Sequence, residues 1–375
     1  MTIVLVAIGL ILFVGLVIAH EYGHFLAARR NGVDVEEFGI GFPPKAWSRK
    51  LKSGMLFSIN VLPLGGFVRL KGEHDADKGK GTYGAASLKT KTKIMTAGVG
   101  MNLLVAFLLL TVLAWLGMPK VIDNQFGIAN DSRTIKNQVL VGYIESDSPA
   151  AKAGLHRGDQ IVSIQGEDNR INYINDTASL PKVTQRFAGQ TVDVEANRQG
   201  QKIMTSLQLR STEEVDRSKN TDNPKGYMGI VPTEYTIVRS TWSAPVVAIG
   251  MIVQLTAATL NGIVQALAGL FTWNTQQATQ QIAGPVGIFV LLKDGSVMGY
   301  QFVLLIVAII SLTLAIMNIL PIPALDGGRL FVTWLYRFMR RPLTQKTEEL
   351  IHGAGFALLM VLFIVITVVD VKRFF

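Results

Sequence analysis

His20-Glu21-Tyr22-Gly23-His24 is the segment whose residue types and spacing point most directly to chemistry. On a helix turning about 100° per residue, His20 and His24 lie ~40° apart on one face, and Glu21 lies ~60° from His24. Two imidazoles one turn apart can hold one zinc ion, and a carboxylate beside them can take a proton from water activated by that zinc. The chain has no cysteine, which excludes a disulfide framework, a thiolate metal site and a thiol nucleophile. Of its five histidines, the remaining three (His74, His156 and His352) fall in stretches that read as loops. A third ligand is therefore sought among the carboxylates. Asp326 stands out, in Asn318-Ile-Leu-Pro-Ile-Pro-Ala-Leu-Asp326-Gly327-Gly328. The two prolines break a helix and the glycine pair permits unusual backbone angles, a setting that suits an ion ligand. The plain alternative for Asp326 is a cap on the following helix. For the histidine pair it is ordinary residence in the headgroup region.

The elements that must position these residues are long and apolar. Thr2 to Ala19, Ile94 to Gly117, Tyr300 to Leu320 and Gly353 to Val369 carry no charge, and a bilayer core needs about 20 such residues per helix. Spans are drawn at ~2–24, ~94–117, ~299–320 and ~353–370 on that criterion. Ionisable groups at the end of such a run are costly and default to function. The first run has no basic n-region and ends in His20 and Glu21 where a cleaved signal would have small residues, so it reads as a span. The composition agrees: 49% of residues are apolar and 17% charged, with the charge gathered in blocks. The net charge of +9 comes without an aromatic-basic motif, so the partner it implies is membrane lipid and not nucleic acid. From Arg29 to Lys93 there are 13 Lys/Arg against six acids, and Arg329, Arg337, Arg340, Arg341 and Lys346 follow the third span. Both loops are expected in the cytoplasm, which puts the N-terminus and residues 118–242 outside.

That external segment has a soluble composition. Val139 to Ile144 alternates like a strand, Ser148-Pro149 reads as a helix N-cap and first residue, and Arg157 to Gly166 reads as a turn and a strand. Thr191 to Ala196 and Lys202 to Leu209 read as strands, and Ser211 to Lys225 as a loose linker. Ser243 to Phe271 is uncharged but holds Gln254, Thr256, Thr259, Asn261 and Gln265. A parity argument bears on it. His20 and Asp326 must meet at one metal, and each lies at the far end of its own span. Both spans then run inward, so the stretch between the external segment and Tyr300 crosses an even number of times. The 29 residues from Ser243 to Phe271 are too few for two crossings. It is expected along the outer surface as one or two amphipathic helices.

Together, the His20-Glu-Tyr-Gly-His24 motif, the Asn318–Gly328 stretch with its Leu-Asp-Gly core and the segment between spans two and three resemble the site-2 protease family, specifically the bacterial regulator-of-sigma-E protease group. The resemblance covers nearly the whole chain. Within it, the run from Ser148 through Gly158-Asp159 to Ile161 resembles bacterial PDZ domains, which can bind extended peptides at a sheet edge. Phe38 to Pro44 and Ile59 to Arg69 resemble the family's membrane re-entrant β-hairpin. Gly98-Val-Gly-Met-Asn102 resembles a motif that usually has proline where Val99 stands, which leaves its local backbone open.

The resemblance implies a polytopic α-helical membrane protein with four transmembrane helices, a re-entrant β-hairpin region and one inserted extracytoplasmic α+β PDZ domain. It divides the chain into a membrane half at 1–117 with the β region at 35–72, a PDZ domain at 128–232, surface helices at 243–298 and a second membrane half at 299–375. It implies that His20, His24 and Asp326 bind Zn2+ and that Glu21 is the catalytic base. Asn318, Gly65 and Gly66 would touch an extended substrate. The implied activity is intramembrane hydrolysis of single-span membrane proteins, such as anti-sigma factors or remnant signal peptides, in the bacterial inner membrane. The rival functions are a membrane zinc transporter and an inactive PDZ adaptor. Zinc content together with cleavage of a transmembrane substrate separates all three.

Overall fold

Where apolar residues run without a break, a helix is the form that satisfies every backbone group inside the segment. A computed structural model describes residues 2–198, 200–221, 223–272 and 284–374. In chain order its elements are α1 (Thr2–Arg30), β1 (Val35–Lys50), β2 (Leu56–Leu70), α2 (Leu88–Leu116), β3 (Met118–Pro119), β4 (Arg133–Ile144), α3 (Pro149–Lys152), β5 (Gln160–Gln165), β6 (Ile171–Tyr173), α4 (Ser179–Arg186), β7 (Thr191–Arg198), β8 (Gln201–Gln208), α5 (Thr212–Ser218), β9 (Ile230–Arg239), α6 (Ala244–Phe271), α7 (Pro285–Met298), α8 (Tyr300–Ile319), α9 (Asp326–Phe338) and α10 (Gln345–Phe374). The chain divides into two units, Met1–Leu113 with Ala244–Phe375, and Ala114–Ser243.

In the first unit, α1 packs against α7 and α8. Leu16, Leu292, Val303 and Val307 form its buried cluster, and Gly9 leaves room for Leu292 and Val303, whose methyls would lie 3.0 and 3.2 Å from an added Cβ. Gly299 has φ +114°, so the chain can turn sharply from α7 into α8. Strands β1 and β2 form an antiparallel two-stranded sheet with several register shifts. Its buried Glu37 is paired with Lys45 at 3.0 Å and Arg69 at 2.9 Å.

Five helices among the described residues are long and apolar enough to cross a membrane: α1, α2, α6, α8 and α10. Four spans were expected, and α6 is the further helix of this length and composition. Gln254, Asn261 and Gln265 fall within a strip about 40° wide on a helix, while Val246, Ile249, Val253, Leu260, Val264 and Leu267 are exposed around it. Nothing interrupts the periodicity, so one continuous apolar helix forms where one or two amphipathic ones were expected. The expected surface region 243–298 thus holds α6 and α7, and its residues 273–283 lie outside the described ones. The helices also outrun the spans drawn from charge. α1 continues to Arg30, α2 starts at Leu88 and α10 at Gln345, because Lys, Arg and Glu are good helix formers.

The second unit is a seven-stranded sheet in the order β3-β9-β4-β5-β7-β8, with β6 beside β5. Val139, Val141, Ile161, Ile164, Val192 and Val194 fill its core. Ser148 caps α3 by accepting from the Ala151 N–H, with Pro149 in the first turn. The stretch read as a loose linker contains a helix instead: Ser211 caps α5, and Val215 is buried. Asp131 ties the unit's ends together by accepting from the backbone N–H groups of Thr241 at 2.8 Å and Ser243 at 3.0 Å.

Candidate active site

Four elements build the site. Helix α1 carries His20, Glu21 and His24. The second helix, α2, lies so close that a Cβ on Gly23 would sit 2.5 Å from the Ala97 carbonyl oxygen. Strand β2 passes Glu21, and α9 brings Asp326 from the far end of the chain.

Asp326 is the first residue of α9, and Leu325 occupies the cap position before it. Its Oδ2 lies 3.1 Å from Nε2 of both His20 and His24, and the two Nε2 atoms are themselves 3.1 Å apart. The glycine pair explains how α9 starts here. A Cβ on Gly327 would lie 2.5 Å from the Ile319 carbonyl carbon, and one on Gly328 would overlap the Ile322 carbonyl. Only glycine lets the first turn of α9 stack on the loop that precedes it.

The outer nitrogens of the imidazoles are also held. His24 Nδ1 donates to the Ile94 carbonyl at 2.8 Å, which leaves Nε2 of the neutral ring with a bare lone pair. His20 Nδ1 lies 3.2 Å from Asn102 Nδ2, while Asn102 Oδ1 is buried with no partner. Turning that amide over lets Oδ1 accept from His20 Nδ1–H and removes the orphan, since amide O and N are assigned and not distinguished by shape. Nε2 of His20 then also faces inward with a lone pair. Asn102 is fixed in turn by its carbonyl, which accepts from Ser311 Oγ on α8 at 2.8 Å.

Two lone pairs and a carboxylate oxygen therefore converge, each 3.1 Å from the others. Zinc bound tetrahedrally at about 2.0–2.1 Å spaces its ligand atoms about 3.3 Å apart, close to the distances seen. This donor set fits zinc. Among the described residues, His20, His24 and Asp326 are the group of metal-binding type whose ligand atoms gather within 4.8 Å.

Glu21 is half-buried beside this group and faces β2. A Cβ on Gly66 would lie 3.3 Å from its Cγ. Gly66 thus meets Glu21, whereas Gly65, at φ +89°, packs against Phe42 and serves the hairpin. Asn318 is half-buried in the last turn of α8. Beyond the residues expected from sequence, the site uses Gly98, whose added Cβ would lie 2.6 Å from His20 Cε1 and 2.7 Å from its Nε2. Gly98 and Asn102 are one turn apart on α2, which runs unbroken through Val99. Their spacing in the Gly98–Asn102 motif was the available signal.

An ionic cluster braces α9. Arg329, one turn after Asp326, pairs with Glu73 at 3.3 Å and Glu348 at 3.8 Å. Glu348 accepts from the Asp75 backbone N–H at 2.9 Å, and Asp75 pairs with the buried Lys91. His352, read as a loop residue, sits on α10.

The sequence model of peptidase family M50 matches residues 8–362. The chain belongs to peptidase family M50. A Clostridium perfringens protein that carries a zinc-metalloprotease name is 29% identical over 97% of each chain. The regulator of sigma-W protease RasP of Bacillus subtilis is 26% identical over 98% of each, and the zinc metalloprotease RasP of Shouchella clausii 24% identical over 97% of this chain and 98% of its own. This M50 peptidase is a zinc metalloprotease, and its long apolar helices make it an integral membrane protein.

When bound, zinc supplies a Lewis acid that polarises a peptide carbonyl and eases deprotonation of water. The chain supplies the rest. His20, His24 and Asp326 would hold the ion, and Asn102 and the Ile94 carbonyl face the outer ring nitrogens. Glu21, beside that group, would serve as the base, taking a proton from the attacking water and returning it to the leaving amide nitrogen.

Proposed function

We propose that this M50 peptidase hydrolyses peptide bonds inside the membrane-spanning segments of single-span membrane proteins. The observation that carries the reading is the position of the donors: His20, Glu21 and His24 lie on α1, a helix long and apolar enough to cross a bilayer. Anti-sigma factors and remnant signal peptides have the required single apolar span, and one relative's name refers to sigma-W regulation. An extended substrate lies along β2 at Gly66, beside Glu21, with Asn318 contacting its backbone. The test is a reconstituted reaction with a single-span substrate and mass mapping of the products. Cuts confined to soluble loops would sink the proposal.

The protein resides in the inner membrane with its N-terminus and a PDZ domain at 128–232 outside, and with α6 and α7 on the outer side. The parity argument supports this, since His20 and Asp326 meet only if α1 and α8 run in the same direction. With no native cysteine, a Lys293→Cys variant should react with an impermeant thiol reagent added to intact cells. Labelling only after the cytoplasm is opened reverses the topology.

The PDZ domain screens substrates. Replacing residues 120–239 by a short linker should leave zinc bound, preserve cleavage of short substrates and admit proteins with bulky external domains. Loss of all cleavage of a short substrate would show that the domain does more than screen.

A further inference from the structure

Asp326 reaches the histidines from a backbone held away from its relaxed shape. Ala324, two residues earlier, has φ +78°. In that left-handed region a Cβ crowds the neighbouring carbonyl, and glycine or asparagine is the usual occupant. Alanine has no polar side chain to support the conformation locally. The loop's own bonds, Ile322 N–H to the Leu320 carbonyl at 2.7 Å and Leu325 N–H to the Ile322 carbonyl at 3.1 Å, leave the Ala324 N–H unused.

That N–H is taken by another element. It donates to Nδ1 of His352 on α10 at 3.3 Å. One turn along α10, Gly355 makes space for the same loop: a Cβ there would lie 2.6 Å from the Pro323 carbonyl oxygen and 2.7 Å from its carbonyl carbon. The helix thus presents one acceptor and one gap to Pro323-Ala324, at the i and i+3 spacing that shares a face. His352 is not part of the converging donor group at the metal centre. With Nδ1 accepting, the proton is on Nε2, which is buried without a hydrogen-bond partner. The ring lines a cavity of about 430 Å³ shared with His74, Asp326, Arg329, Glu348 and Glu349.

We propose that His352 is a positioning residue for the zinc centre: through Nδ1 it holds Ala324 in the left-handed conformation that aims Asp326 at His20 and His24. Without the acceptor, Ala324 relaxes towards an ordinary backbone angle, and Asp326 turns with it. The proposal rests on Asp326 being a zinc ligand.

The test is zinc affinity of the purified full-length protein, measured by competition with a chromophoric chelator. His352→Leu should weaken zinc binding about tenfold, the lower end of the effect of losing residues that orient ligands. His352→Asn should restore it, because its Oδ1 can take the place of Nδ1 as acceptor. Ala324→Gly should bind zinc like the wild type, and in that background His352→Leu should cost little, since glycine holds a positive φ without strain. Wild-type affinity in His352→Leu overturns the proposal, and so does a tenfold loss that persists with glycine at 324. Asp326→Ala reports separately on the ligand assignment. If it loses zinc while His352→Leu does not, only the positioning role falls; if it keeps full zinc, both readings fall.

Discussion

Glu21→Gln is expected to abolish peptide cleavage while leaving zinc fully bound. The three groups that converge are His20, His24 and Asp326, so an amide at position 21 removes no ligand. The substituted glutamine keeps the length and shape that fit between Gly66 and the metal centre, where a Cβ on Gly66 would stand only 3.3 Å from Glu21 Cγ. What it loses is basicity, since an amide cannot take the proton of the attacking water. Removing a general base costs typically about 10²–10⁴ in rate. Single-turnover cleavage of a single-span substrate and zinc per chain should be measured on the same preparation. Loss of zinc along with activity would place Glu21 among the ligands and end its assignment as the base. Undiminished cleavage would move the base elsewhere.

The parts of this site legible in the sequence are those whose geometry is local. His20 and His24 are separated by one helical turn, so their shared face follows from the helix alone. Asp326 was legible because two prolines and two glycines around it announce broken backbone, and the structure uses those glycines to stack α9 on the loop before it. Gly98, Asn102 and His352 act through contacts with residues far away in the chain, such as Asn102 with His20, Gly98 with His24 and His352 with Ala324. No periodicity encodes such pairings. His352 also lay in a charged stretch that read as a loop, because hydropathy locates the buried part of a helix and not its ends. The helix α5 was missed for a related reason: its composition is polar, and only the packing of the sheet shows that Val215 turns inward. For α6 the count of polar residues suggested two faces, while only Gln254, Asn261 and Gln265 share a narrow strip and Thr256 and Thr259 lie on the far side of the helix.

Gly98→Ala is expected to leave a folded protein that has lost its zinc. The position lies inside α2, where alanine is the better helix former by roughly 1 kcal/mol, so nothing in the local backbone opposes the change. The obstacle is the space in front of it. A methyl group there would overlap His24 Nε2 and lie 2.6 Å from His20 Cε1 and 2.7 Å from His20 Nε2. Neither ring can swing aside freely, because His24 Nδ1 is bonded to the Ile94 carbonyl at 2.8 Å and His20 Nδ1 faces Asn102 at 3.2 Å. To admit the methyl, at least one imidazole must break its outer hydrogen bond and turn its lone pair away from the other two donors. Disturbing the partners that orient ligating histidines costs about 10- to 100-fold in metal affinity, and a methyl pressed on two ligand rings at once should reach the upper end. The measurement is zinc affinity by chelator competition beside a thermal melt of the zinc-free protein. The melt should match the zinc-free wild type while affinity falls about 100-fold, a pattern expected of a filled metal site. Wild-type zinc binding in this variant would mean that the metal is held away from the His20, His24 and Asp326 cluster. A collapsed melt would mean that α2 needs Gly98 for its packing against α1.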